Sequence, residues 1–225
     1  MDPGAELVTG TESRPTPDEP RGAQSEHRFS APILTGRHIY LRPLAAEDHR
    51  SVRQMDLSAE LGVRWRHRGA TPGIAKWTQS NDSALAQFLV VRSSDHIAIG
   101  VTAVYNQSFQ DQYAYFAAVS FAPAMRSPLM VMGSALMIDY TFKCWPFRKL
   151  YLELPEYNLE QLARGNGRIF VQEGRLGEHM YYDGRWWDKI ILALYRRTWD
   201  ERSSRLVAAA LPAVRRSATI SRPKR

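Results

Sequence analysis

Between positions 153 and 158 the chain reads Glu153-Leu154-Pro155-Glu156-Tyr157-Asn158, two carboxylates, a phenol and an amide in one short stretch. Carboxylates accept protons and phenols donate them, so this stretch has the group types that proton transfer needs. Glu153 has the parity opposite to Leu152 and Leu154, which predicts a salt-bridge partner within a strand. Glu156 reads as a loop carboxylate just past that strand, and Asn158 suits the N-cap of a following helix. His179 stands alone, as a structural histidine does. Cys144, between Lys143 and Trp145, lacks a paired histidine or helix N-terminus to activate it and reads as structural. Six histidines and one cysteine are scattered without ligand spacing, so no metal site is expected.

The elements that must position these groups follow from periodicity. Residues 33–44 predict a first strand or hairpin with its turn at Gly36. Ala45-Ala46-Glu47-Asp48 opens a helix to about 57. Residues 61–74 predict a loop, with a short helix over 75–80. Strands are expected over 84–92, 97–106 and 113–121, in a meander whose first turn is Ser93-Ser94-Asp95. Residues 129–144 are apolar nearly all round and predict a helix buried against a sheet. The run 149–154 alternates as a strand, and 158–164 predicts a helix stopping at Gly165 or Gly167. Residues 169–171, 176–182 and 190–195 predict the last strands, with Asp183-Gly184 as a hairpin turn. The fold class is α/β, mixed α+β: a mostly antiparallel sheet with helices on both faces.

Composition sets the bounds. Hydrophobic residues at 44% and aromatics at 11% exclude a fully disordered chain. No stretch approaches the ~20 apolar residues of a membrane span, and the first 22 residues lack the apolar run of a signal peptide. One cysteine excludes an internal disulfide and suits a reducing compartment, so a cytoplasmic location is expected. Residues 1–30 are too poor in apolar groups to fold and read as a disordered extension; the folded unit is expected over 31–201. After Glu201 the chain has seven basic residues and no acid, as many as its net charge of +7. This 202–225 tail predicts a solvated extension, and it offers the only route to nucleic acid, which its lack of aromatics disfavours.

Several local strings, in order, resemble the GNAT (Gcn5-related N-acetyltransferase) superfamily, and within it the ribosomal-protein N-terminal acetyltransferase-like branch. They are Gly36-Arg37-His38-Ile39-Tyr40-Leu41-Arg42-Pro43-Leu44 with Glu47-Asp48, and Lys149-Leu150-Tyr151-Leu152-Glu153-Leu154-Pro155-Glu156-Tyr157-Asn158. Further on come Phe170, Glu173-Gly174-Arg175-Leu176, His179, and Asp183-Gly184-Arg185-Trp186-Trp187-Asp188 leading into 190–196. The likeness runs from about residue 33 to 200. It implies a splayed sheet of six or seven strands. The strands ending near Phe121 and Glu156 would hold the pantetheine arm of an acyl-coenzyme A, as an added strand pairs with a sheet edge. Backbone at Val119 and Phe121 would pair with the pantetheine amides, and Asn158 would face the cofactor. Glu156 would accept the amine's proton through a water, His179 would lie near the acceptor pocket, and Tyr157, just before the asparagine, is a further catalytic candidate.

The pyrophosphate loop of that superfamily, Gln/Arg-x-x-Gly-x-Gly/Ala, corresponds here to Met125-Arg126-Ser127-Pro128-Leu129-Met130, which has no glycine. Such a loop works by turning backbone N–H groups toward phosphates at a helix N-terminus. Pro128 removes one donor, a loss of about 1.5–3 kcal/mol against a charged acceptor. Arg126, Ser127, Leu129 and Met130 are the expected contacts. The basic run Arg64-Trp65-Arg66-His67-Arg68 would border the acceptor site, attracting acidic groups or the cofactor's phosphates, or would be a loop anchored by Trp65. The resemblance implies an acyl-CoA-dependent N-acyltransferase, acetyl transfer foremost, acting on a small-molecule amine or a protein N-terminus. The alternative is a non-catalytic binding module of the same fold. A second copy of the chain is a candidate partner through aromatic residues of the last hairpin that the core does not use.

Overall fold

The computed structural model describes residues 34–58, 70–121, 128–159 and 169–210. Arg126, Ser127, the 64–68 run and the stretches expected as N-terminal extension, as helix past 159 and as tail past 210 lie outside the described residues. The chain opens with a hairpin, β1 (Leu34–Thr35) and β2 (Ile39–Pro43), turning at Gly36. A 3-10 turn, Ala46–Asp48, leads into α1 (His49–Asp56). Asp48 fixes this entry: it accepts from the Ala45 N–H at 2.8 Å and from Arg42 at 2.5 and 2.7 Å. Burial alone would push the Asp48 carboxyl up; the Arg42 and Ala45 donors outweigh it and hold the group below its ordinary value.

Then come α2 (Ile74–Asp82), β3 (Ala86–Arg92), β4 (Ala98–Ser108), β5 (Tyr113–Ser120), α3 (Pro128–Cys144) and β6 (Lys149–Pro155). A second 3-10 turn, Glu156–Asn158, follows β6; β7 (Val171–Tyr182), β8 (Arg185–Tyr195), α4 (Arg196–Arg202) and α5 (Ser204–Ala210) complete the described chain. Among the described residues the sheet has eight strands in the order β1-β2-β3-β4-β5-β6-β8-β7. Every pairing is antiparallel except β5 with β6.

Strand β3 shows why the sheet needs helices on both faces: Phe88, Leu89, Val90 and Val91 are all buried. Phe88 and Val90 enter the core under α3, with Ile39, Leu41, Phe116, Leu136 and Leu150. Leu89 and Val91 enter a second core with Val52, Trp77 and Val101. Each fully buried aliphatic side chain contributes about 1.5–3 kcal/mol. Trp77 satisfies its indole N–H on Asp56 at 2.8 Å. Gly133 lets α3 sit close to the sheet, since a Cβ there would lie 2.7 Å from Val90 Cγ1.

Three expectations need correction. Residues 169–171 and 176–182 do not form two strands: one strand, β7, runs through 171–182, with register shifts at Gln172/Gly174 and Leu176/Met180. The extra residues bulge out of the ladder, which breaks the alternation that a sequence reading relies on. The strand count is eight rather than six or seven, because the first hairpin contributes both of its arms. The folded chain also passes 201: α5 packs on α3, Ala210 is fully buried, and its carbonyl accepts the Arg37 N–H at 2.8 Å. Arg202 and Arg205 of the expected tail therefore belong to helices. The Asp183-Gly184 turn is as expected, with φ of 51° and 76°. No described helix is long and apolar enough to cross a membrane.

Candidate active site

Strands β5 and β6 pair at only three positions, Tyr113 with Lys149, Ala114 with Leu150 and Tyr115 with Tyr151. Beyond them the strands part. Both are still held from outside: β5 pairs with β4 as far as Gly100 opposite Ser120, and β6 with β8 as far as Pro155 opposite Lys189. The gap is therefore built between two fixed strands. Its inner edges, at 116–120 and 152–155, carry backbone donors and acceptors that the opposite strand does not satisfy. Such edges take up an extended amide-bearing chain readily.

The backbone that faces the gap is not the pair expected. The Phe121 N–H donates to the Ile99 carbonyl at 2.9 Å, and the β4–β5 register is unbroken from Ser120 back to Tyr115. Backbone groups alternate in direction along a strand, so those of Val119 also face β4. The groups directed into the gap belong to Phe116, Ala118 and Ser120. Val119 and Phe121 instead pack their side chains against the core that holds Trp77. A sequence carries no register, so nothing in it distinguished the two sets.

At the mouth of the gap stands the Glu156–Asn158 turn. Pro155, extended at ψ 148°, occupies the cap position of this turn and Asn158 ends it; the helix that Asn158 is expected to cap lies outside the described residues. Tyr157 packs on Tyr182 and Trp187, with ring centroids 5.3 and 4.9 Å away. It thereby ties the turn to the β7–β8 hairpin. Trp187 donates to the Tyr182 carbonyl at 3.0 Å and carries the Arg185 guanidinium 3.4 Å from its ring centroid. Glu156 is in an ion pair with Arg175 at 2.7 Å, and Arg175 also reaches Asp188 at 2.5 Å. Asp188 accepts the N–H of Glu178, the bulge residue with φ 48°, at 2.8 Å. That N–H and then Arg175 hold the Asp188 carboxyl below its ordinary value, and Asp188 with Glu156 raises Arg175. His179 is exposed on the same bulge, and no described contact joins it to Glu156 or Tyr157. Arg175 and Asp188 organise this mouth without a role expected of them from sequence; an Arg and an Asp thirteen positions apart show no spacing signal.

On the face opposite α3, Tyr115 and Tyr151 meet at 5.3 Å where the strands part, and Tyr113 contacts both. Glu153 pairs with Lys189 at 2.8 Å, the salt bridge expected from its parity. Burial first, and then the Glu153 charge, push the Tyr115 phenol up. At the other side of the gap, α3 starts at Pro128. Leu129 is half-buried in its first turn, and Met130 is buried in the core beside Gly100. Among the described residues no group of three or more His, Cys, Asp or Glu could hold a metal ion.

This topology is the GNAT fold. A spermidine N-acetyltransferase from Vibrio cholerae, solved with CoA and spermine, matches with a TM-score of 0.63 at 19% identity, over 72% of this chain and 98% of that one. The same enzyme solved with manganese ions matches at 0.60 and 20% identity, over 74% and 98%. A GCN5-related N-acetyltransferase from Brucella melitensis matches at 0.58 and 19% identity, over 78% and 81%. No protein-family model and no curated protein matches the sequence.

Proposed function

We propose that the protein is an acyl-CoA-dependent N-acyltransferase, acetyl transfer foremost, whose acceptor is the amine of a small molecule or a protein N-terminus, working in the cytoplasm. The gap between β5 and β6 carries this reading, because a pantetheine arm bears two amides and the gap offers an unpaired strand edge. That one structural neighbour is solved with CoA and spermine supports an amine acceptor. The thioester supplies an electrophilic carbonyl carbon; the rest falls to the chain. Phe116, Ala118 and Ser120 backbone groups hold the arm, and their N–H groups lie where a developing oxyanion needs donors. The amine gives up one proton as its nitrogen bonds to the acyl carbon, and the carbon–sulfur bond breaks with its electron pair leaving on the coenzyme A thiolate. Glu156 takes that proton through a water, with Asn158 toward the cofactor and His179 toward the acceptor.

A second reading, a binding module without acyl transfer, draws on two observations. Pro128 offers no N–H at the start of α3, and the Glu156 carboxylate is already engaged by Arg175. Titration calorimetry with acetyl-CoA separates the two. Micromolar binding, followed by release of free thiol when amines are added, is the expected result. Absence of heat at millimolar acetyl-CoA overturns the transferase reading.

A further inference from the structure

A cavity of about 480 Å³ lies at the end of the sheet where α3 begins, lined by Arg37, His38, Arg92, Ser93, Ser94 and Leu129. Its lining residues include two arginines, a histidine and two serines, side-chain types that donate to an anion, beside an apolar wall. The walls are fixed by backbone. The Arg37 N–H is tied to the Ala210 carbonyl at 2.8 Å, and the Ser93 N–H to the His38 carbonyl at 2.9 Å. Gly36 permits the first of these contacts, because a Cβ there would lie 2.6 Å from the Ala210 oxygen. Asp95 takes Nε and Nη2 of Arg92, leaving Nη1 without a described partner. No described ion pair engages Arg37.

We propose that this cavity binds a phosphate-bearing ligand. Its cations come from the β1–β2 and β3–β4 turns, two elements apart from the stretch where the sequence suggested phosphate contacts. Yet Leu129, one of the residues expected at the pyrophosphate, forms part of its wall. The cavity lies about three strand spacings, roughly 14 Å, from the β5–β6 gap. An acyl-CoA extended over the start of α3 spans that distance, and Arg37 and Arg92 then do the work that Pro128 and a loop without glycine cannot. A free phosphorylated metabolite offers the same chemistry. The cavity does not depend on the transferase reading; only the choice between these two sources does.

The test is calorimetry of the full chain with inorganic pyrophosphate and with adenosine 3′,5′-bisphosphate, for the wild type, Arg37→Ala and Ser93→Ala. Near-ultraviolet circular dichroism checks that both variants are folded. Pyrophosphate is expected to bind the wild type, and Arg37→Ala to weaken it about tenfold, the loss of one charged hydrogen bond. Binding of neither probe by the wild type, or affinity in both variants unchanged from the wild type, overturns the proposal. Displacement of pyrophosphate by acetyl-CoA identifies the coenzyme as the source; independent binding of the two identifies a separate ligand. Arg37-dependent pyrophosphate binding without acetyl-CoA binding keeps the cavity and removes the transferase reading. Acetyl-CoA binding that Arg37→Ala leaves unchanged, with no pyrophosphate binding, does the reverse.

Discussion

The sheet has two unlike halves. From β1 to β5 it is a meander of sequence neighbours with apolar side chains buried on both faces, as the run of four buried residues in β3 shows. From β6 to β8 and β7, the face opposite α3 is organised by polar pairs: Lys149 with Glu173, Lys189 with Glu153, and rings at Tyr151 and Tyr195. Three residue pairs join the halves. Arg196 adds a clamp, donating to the Phe147 carbonyl at 2.7 Å and the Trp145 carbonyl at 2.5 Å, and also to that of Phe142. What the contrast teaches is that the gap is no frayed edge. Each half is stable on its own outer side, so the parting between them is fixed and its inner edges stay open to a ligand.

Two proline substitutions break the comparison most severely. Val119→Pro removes an N–H directed at β4 and should destabilise the protein by about 3 kcal/mol or more, read from the urea midpoint. Ala118→Pro removes an N–H directed into the gap, where proline is tolerated as on an edge strand. It should leave the urea midpoint nearly unchanged and weaken acetyl-CoA binding about tenfold. Equal destabilisation by both would mean that β5 has no free edge, and the gap would lose its role.

The proposed base, Glu156, sits at the gap's mouth, in the turn after β6. With Glu156 as proton acceptor, Glu156→Gln should lower kcat about a hundredfold and leave the KM for acetyl-CoA nearly constant. A loss below about tenfold, with no change in the pH–rate profile, would assign the carboxylate to holding Arg175 in place. Arg175→Ala should then reproduce the same loss.

How much of this was legible in the sequence divides along the same line. In the meander half, alternation and turn residues such as Gly36 and Ser93-Ser94-Asp95 locate every strand to within a few residues, because apolar burial writes a periodic pattern. In the other half β7 reads as two pieces, 169–171 and 176–182, since its bulges break the alternation and most of its side chains are exposed. The site is legible only in part. Strings such as 149–158 point to the mouth of the gap. Which backbone groups line it depends on register with β4, and the Arg175 bridge depends on a bulge; both are properties of pairing between distant segments.

Gly36→Ala tests how the meander half is anchored to the helices. The added Cβ would meet the Ala210 oxygen at 2.6 Å and the Ile39 oxygen at 3.0 Å, both backbone atoms that cannot swing away. A stability loss of about 1–3 kcal/mol is expected in urea unfolding. The same substitution in a chain ending at 203 should cost less, because the Ala210 contact is then gone. An equal cost in both chains would separate α5 from the hairpin.

The smallest effect concerns the polar half. Lys149, almost fully buried, pairs with Glu173 at 2.7 Å, and Tyr195 donates to the same carboxylate. Burial pushes the Glu173 carboxyl up, but the donors from Lys149 and Tyr195 prevail and hold it below its ordinary value. A carboxyl depressed in the folded state stabilises the fold fully above its unfolded value of about 4, and that share is lost as pH falls through the folded value. Wild type should exceed Glu173→Gln by about 1–2 kcal/mol at neutral pH, with the difference shrinking steadily on acidification. Asp48 and Asp95 in the meander half and Asp188 in the polar half are also depressed and unaffected by the substitution, so acid sensitivity that survives in the variant belongs to them. A difference that stays constant to the lowest pH reached would show that Glu173 acts through packing, and the two halves would then be held together by the same means.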